Sequence, residues 1–291
     1  MQFRTEIEII KSPADKQIIH NDTIVMLGSC FTDSIGSELD ADGFQTVHNL
    51  MGPLYNPMSI ANCLNRTANR AFYDPSEFIL GADGYYHCLD FASRYRHHDP
   101  SALADIINHD ISALADYCSA ASVAIITLGS SYAYIYKPTW QTVGNCHKFP
   151  STDFEQTFFN FAQSGHALAA ITQAFPNAKL IIFTVSPVRH TAYGLHGNNL
   201  SKAHLLLAVE EALKFCDRAE YFPAFEILND DLRDYRFYAA DLKHPSEPAV
   251  HYVYEKFALK YFSPLTIETA RQNRKLHKAA SHRPILDNDQ T

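Results

Sequence analysis

Two groupings in this sequence hold the residue types of nucleophilic catalysis. The first is Gly28-Ser29-Cys30-Phe31, which follows the apolar run Thr23-Ile24-Val25-Met26-Leu27 and precedes a helix-like segment from Thr32 to Leu39. A small-residue turn between a buried strand and a helix puts one hydroxyl at the carboxyl end of a sheet. There it lies beside unpaired backbone N–H groups and the positive end of the helix dipole. A serine in that position can be a nucleophile, and the N–H groups can hold an oxyanion. The second grouping is Asp241-Leu242-Lys243-His244. An aspartate three residues before a histidine can hydrogen-bond the imidazole and fix its tautomer, which frees the other ring nitrogen to take a proton from a serine. Each grouping also has a plainer reading. Gly-Ser often makes an ordinary strand-to-helix turn, and a lone Asp-x-x-His often caps a surface turn. Here the Asp-x-x-His comes late in the chain, followed by Pro245 and a terminal helix, with a candidate nucleophile after the first strand.

The elements that would position these residues alternate along the chain. Strand-like runs are Phe44–Leu50, Ser122–Gly129, Lys179–Val185 and Tyr221–Leu228, and the alternating Met1–Ile10 reads as a further strand. Helical spacing is found up to Asp42, where Gly43 ends the helix, and from Pro57, placed as a first helical residue. It recurs over Ser101–Ala120, Phe158–Phe175, Asn198–Phe215 and Glu247–Phe262. A hairpin is expected between Ala133 and Val143, and residues 65–120 read as an inserted segment. Within the insertion, Phe72–Pro100 is aromatic and rich in turns, suited either to shaping a cleft or to a surface hairpin. This alternation predicts an α/β fold with a parallel sheet, residues 1–270 forming one domain and 271–291 a polar extension. In such folds the site lies beyond the carboxyl ends of the strands. Ser29, Gly52 with Asn56, Gly129 to Ser131, and Arg189-His190 all fall there.

Composition removes several function classes. Hydrophobic residues make up 46% and charged residues 19% of the 291, with a net charge of −8, the profile of a soluble globular protein without a nucleic-acid partner. The basic run Arg271–Lys278 reads as a solvated helix face or tail. The N-terminus lacks the layout of a signal peptide, and the apolar runs are too short to cross a bilayer, so a cytoplasmic protein with no membrane partner is expected. The six cysteines are scattered with no C-x-x-C pair, which argues against a disulfide framework or a structural zinc. The nearest approach to a metal cluster is Tyr86-His87-Cys88 with Arg96-His97-His98, but adjacent histidines point apart, and no metal is expected. Without a glycine-rich phosphate loop, no cofactor is expected either.

The order of serine after strand one and Asp-x-x-His before the last helix resembles the SGNH (GDSL-like) hydrolase superfamily, and more closely the GSCFA family. Gly28-Ser29-Cys30-Phe31 matches the motif for which that family is named, with a departure at Thr32. Further stretches similar to the family are Leu54–Pro57, Thr127–Gly129, Asn145–Lys148, Ser186–His190 and Asp230–Tyr238 through His244-Pro245-Ser246. The resemblance implies a three-layer α/β/α sandwich of flavodoxin-like type, with Ser29 as nucleophile, His244 as general base and Asp241 as its orienting partner. It implies oxyanion donors at the Ser29 N–H and at Gly52. The superfamily's third donor is an asparagine after the third strand, where this chain has Gly129-Ser130-Ser131. Either Asn145 reaches in from the next loop or the hole is built differently. Asn56, His147, Arg189 and His190 are read as substrate contacts, and a Cys30 thiolate is an alternative nucleophile at the helix N-terminus. The function expected is a serine esterase removing a small, acetyl-like group from a carbohydrate or related small-molecule ester. The alternatives are an O-acyltransferase acting on a cell-surface glycan precursor and a non-catalytic binding protein that retains the fold.

Overall fold

The computed structural model describes residues 6–281. Its centre is a parallel sheet built from β1 (Thr23–Gly28), β2 (Gln45–His48), β6 (Val123–Leu128), β10 (Leu180–Val185) and β11 (Ala219–Phe222), in the order β11-β10-β6-β1-β2. This places the first strand next to the centre and reverses the direction of winding between β1 and β6, which opens a crevice at their carboxyl ends. The inner strands are buried along nearly their whole length, which is why they read as unbroken apolar runs rather than alternating ones.

Successive side chains of these strands point to opposite faces, and each face has its own core. Val25, Leu27, Ala124, Ile126 and Phe183 pack under α2 (Pro57–Ala68), α3 (Pro100–Ala120), α4 (Phe161–Gln173) and α5 (Gly194–Leu213). Ile24, Met26, Ile125 and Ile182 pack under α1 (Phe31–Ala41) and α7 (Glu247–Tyr261). The result is the expected α/β/α sandwich. Between β11 and α7, a short helix α6 (Ala224–Glu226) leads into an irregular connection that carries Asp241 and His244.

Two small antiparallel sheets are added to this frame. One, β3 (Ile79–Leu80), β4 (Tyr86–His87) and β5 (Arg96–His97), lies inside the inserted segment. The other, β7 (Tyr132–Tyr136), β8 (Gln141–Val143) and β9 (Phe154–Phe158), stands at the carboxyl end of β6 with β7 in the middle. The hairpin expected at Ala133–Val143 therefore has a third strand. Phe158, expected to begin a helix, ends β9 instead. The helix starts at Phe161 because Asn160 and Gln163 form a capping box, each side chain bonding the other's backbone N–H.

Other boundaries shift for local reasons. The strand expected over Tyr221–Leu228 stops at Phe222, since Pro223 cannot donate to a ladder and the chain turns helical at Ala224. Of the N-terminal strand expected over Met1–Ile10, residues 6–10 have no regular structure, and Met1–Thr5 lie outside the described residues. Residues 271–279 continue α8 (Pro264–Ser281), which docks on α1 through Arg274, paired with Glu38 at 2.7 Å and with Asp42. The remainder of the expected extension, 282–291, lies outside the described residues. Among the described residues, no helix is long and apolar enough to cross a membrane.

Candidate active site

The site is organised by how closely β1 passes β6. Gly28 has φ +139°, and a Cβ built on it would lie 2.1 Å from the Thr127 carbonyl oxygen. Only glycine lets the chain make this approach. Ser29 extends the ladder by one bond, its N–H donating to Thr127 O at 2.9 Å, and the chain then bends into α1. The Ser29 side chain is buried, and its Oγ accepts the Phe31 N–H at 3.3 Å, at the positive end of that helix.

Asn49 clamps this turn from the side. Its Oδ1 accepts the Gly28 N–H at 3.0 Å, and its Nδ2 donates to Ser29 O at 3.3 Å and Asp33 Oδ2 at 3.0 Å. The loop that follows β2 is fastened on the other side. Leu54 N–H bonds Gly28 O at 2.9 Å, and Gly129 and Ser130 N–H bond Tyr55 O at 2.8 and 2.9 Å. Gly129 is pressed against the serine, and a Cβ there would meet Ser29 Cβ at 3.2 Å and Tyr55 Cδ1 at 3.1 Å.

The Asp241 turn closes the site from the opposite side. Asp241 Oδ1 accepts the N–H groups of Lys243 and His244 at 2.9 and 3.0 Å, while Oδ2 takes His244 Nδ1 at 2.6 Å. These donors, the His244 N–H first and then its ring, hold the Asp241 carboxyl far below the usual carboxylate range. An ionised carboxylate can only accept, so Nδ1 carries the proton and Nε2 is left as the basic ring nitrogen. The turn is anchored to the loop after β10, where Arg189 N–H donates to Lys243 O at 3.0 Å.

Ser29 and His244 line one cavity of about 510 Å³, together with Asn56, Arg189 and His190. Aromatic rings build its outer wall. Tyr132 and Tyr193 lie 4.0 Å apart, and the Tyr134 and Tyr193 hydroxyls meet at 2.5 Å. Arg189 Nε donates to the Tyr238 hydroxyl at 3.0 Å. Burial, helped by the charges of Lys202 and Lys243, pulls the His190 pKa down. Asn56 spends its side chain on capping α2, accepting the Ser59 N–H at 2.8 Å and donating to Ser59 Oγ at 2.9 Å.

Several expected roles do not survive this geometry. The Ser29 N–H is committed to Thr127 O, so it is not an oxyanion donor. Gly52 N–H is committed to Asn49 O at 2.7 Å, and a Cβ on Gly52 would be 2.2 Å from Ala92 Cβ, which makes it a turn glycine pressed on the insertion. Asn145 does not reach in. Its N–H bonds Leu89 O at 2.8 Å, its Oδ1 accepts the His147 N–H, and its Nδ2 donates to Ser93 Oγ at 3.4 Å. His147 turns the same way, Nε2 lying 2.5 Å from Cys88 O, so it braces the insertion instead of contacting a substrate. Cys30 does line the cavity, but burial and the Asp33 carboxylate push its thiol up, against the thiolate alternative.

Two other cavity residues, Cys30 and Asn56, have backbone N–H groups without a protein partner among the described residues. The sequence reading also missed Lys202, whose ammonium is buried under the site and bonds Gly129 O and Ser186 O, both at 2.7 Å. Burial brings its pKa down to about 7. A signal was available, since Asn198, Ser201 and Lys202 share the stripe of α5 that continues as Leu205, Ala208 and Val209. Polar residues on a buried stripe call for buried partners.

A family model described as the GSCFA family matches residues 23–257. No curated protein matches the sequence. Among solved structures, LAE5, an alpha/beta hydrolase enzyme from the metagenome of Lake Arreo, Spain, aligns with a TM-score of 0.42 at 11% identity, over 84% of this chain and 96% of that one. The psychrotrophic esterase EstA from Pseudoalteromonas sp., in a structure inhibited by monoethylphosphonate, aligns with a TM-score of 0.34 at 12% identity, over 81% and 94%.

Proposed function

This chain belongs to the GSCFA family, and from that premise we propose that it is a serine hydrolase of SGNH type that removes a small acyl group from a carbohydrate or related ester. One observation carries the reading. A buried serine at a helix N-terminus and a histidine whose Nδ1 is held by an ionised aspartate line the same cavity.

In this mechanism His244 Nε2 takes the Ser29 Oγ proton as the oxygen attacks the ester carbonyl. The tetrahedral oxyanion accepts hydrogen bonds from the Cys30 and Asn56 N–H groups, in place of the donors expected at Ser29, Gly52 and Asn145. Collapse breaks the ester C–O bond, and His244 returns the proton to the leaving alcohol. Water, deprotonated by His244, then attacks acyl-Ser29, and the acyl–Oγ bond breaks as His244 returns that proton to Ser29 Oγ, releasing the acid. The aromatic wall of Tyr132 and Tyr193 suits the C–H face of a sugar ring, and a cavity of about 510 Å³ holds such a ring beside an acetyl group.

A fluorophosphonate probe tests the reading directly. The adduct is expected on Ser29, located by peptide mass spectrometry, and labelling should fall away in His244→Ala. A folded wild-type protein left unlabelled would sink the proposal. Asp241→Asn should lower kcat by roughly 10²- to 10⁴-fold with little change in KM, because it weakens the hold on the correct tautomer. Asp241 stays ionised well below the usual carboxylate range. Asp241 should therefore add no inflection of its own to the acid limb of kcat/KM against pH, and such an inflection would contradict the assignment.

A further inference from the structure

Lys202 is placed where the proposed chemistry has most need of rigidity. It is only 2% exposed, and no carboxylate lies within ion-pair distance of it among the described residues. Burying an amine without a counter-ion is a costly way to fill a core position that methionine or leucine would fill. Its two hydrogen bonds go to Gly129 O, just beyond β6, and to Ser186 O, just beyond β10. Both of those residues line the catalytic cavity. The ammonium and the neutral amine each carry the two protons these bonds use, so the clasp holds in either state.

The bond to Gly129 O is the first link of a longer chain. The Gly129–Ser130 peptide passes its N–H to Tyr55 O at 2.9 Å, and the Tyr55–Asn56 peptide carries the unpartnered Asn56 N–H. Each hydrogen bond in such a series polarises the next. Gly129 also lies against the Ser29 side chain, so a shift of this peptide moves the nucleophile. The neighbouring Ser201 secures the following residue, its Oγ accepting the Ser131 N–H at 2.7 Å.

We propose that Lys202 is a positioning residue of the acyl-transfer site, holding the strand ends of β6 and β10 together and relaying through the Gly129 and Tyr55 peptides to the Asn56 N–H that receives the oxyanion. This rests on the hydrolase reading above. The role assigned to the missing third-strand asparagine would then be met from beneath the site, by a lysine acting on backbone, rather than by a side chain reaching into it.

The test compares Lys202→Met and Lys202→Gln with wild type. For Lys202→Met we expect kcat on p-nitrophenyl acetate to fall roughly ten- to a hundredfold, less than the loss from deleting an oxyanion donor outright, with KM within about threefold. Lys202→Gln, which can still donate to these carbonyls, should recover part of it. A folded Lys202→Met protein with wild-type kcat overturns the inference, as does a loss confined to KM. A measurement on the unsubstituted protein covers variants that do not fold. The ¹⁵Nζ resonance of the slowest-exchanging lysine should shift when Ser29 is phosphonylated, and a resonance that stays in place overturns the relay. Wild-type protein that the probe leaves unlabelled overturns the hydrolase reading and this inference together. Labelled Ser29 with an unmoved kcat in Lys202→Met overturns this inference alone.

Discussion

Replacing Ser29 with alanine should reduce kcat/KM for p-nitrophenyl acetate by roughly a thousandfold or more, towards the rate in buffer. The loss should be almost wholly catalytic. The substitution leaves the Ser29 N–H bond to Thr127 O in place and removes only the oxygen that accepts the Phe31 N–H. A single neutral hydrogen bond of that kind contributes about 1 kcal/mol, so the melting temperature should move by a few degrees at most. Cys30→Ala is the necessary companion. Its thiol is held protonated by burial and by Asp33, so this variant should keep activity within severalfold of wild type. An active Ser29→Ala beside an inactive Cys30→Ala would move the nucleophile by one residue and require a different base geometry. Loss in both would point to damage to the turn, which the fluorophosphonate adduct on wild type would separate from loss of the nucleophile.

The parts of this site that could be read from sequence are those set by local chain geometry. An apolar run ending in Gly-Ser announces a strand that stops at a sheet edge, and Asp-x-x-His is close enough in sequence for the carboxylate to reach the ring without help from the fold. The inner strands were legible because burial on both faces demands unbroken apolar residues. What could not be read was the commitment of backbone donors. Ser29, Gly52 and Asn145 all look able to offer an N–H at the right edge. Each of these backbone N–H groups is taken by a carbonyl, that of Thr127 from the neighbouring strand, that of Asn49 within a turn, and that of Leu89 from the insertion, and the Asn145 side-chain amide turns to Ser93 Oγ. Such bonds depend on which loops lie side by side, and sequence spacing does not carry that. Asn49 was hidden for a similar reason. It sits in a stretch that alternates like a strand, and its clamp on Gly28 and Ser29 exists only because β2 pairs with β1. His147 belongs with these, since it turns away only because the insertion brings Cys88 O within reach.

The second large effect should come from a residue with no side chain. Gly28→Ala places a Cβ where the Thr127 carbonyl oxygen already lies, 2.1 Å away, with the Thr127 carbon and nitrogen both at 2.8 Å. All three atoms are backbone of the central strand β6, which cannot swing aside as a side chain would. The conformation itself, φ +139°, is one that residues other than glycine rarely adopt. Backbone strain and overpacking each cost about 1–3 kcal/mol, so a combined loss of about 3 kcal/mol or more is expected. In a chain of this size that corresponds to a melting temperature lower by roughly 6–12 °C. The bond from Ser29 N–H to Thr127 O is the first that must lengthen, so the surviving folded fraction should also lose turnover. Gly129→Ala provides the contrast. Its Cβ would meet the Tyr55 ring at 3.1 Å, and Ser29 Cβ and the Tyr55 carbonyl oxygen each at 3.2 Å, tight contacts that shifts of a few tenths of an ångström relieve, unlike the 2.1 Å overlap at Gly28. That variant should fold with a modest change in melting temperature yet lose kcat, because Ser29, the proposed nucleophile, is among the groups that must give way. Thermal unfolding and p-nitrophenyl acetate kinetics on both variants check the pair. If Gly28→Ala melts like wild type, β1 does not pass β6 this closely, and the serine is not held where the mechanism requires it.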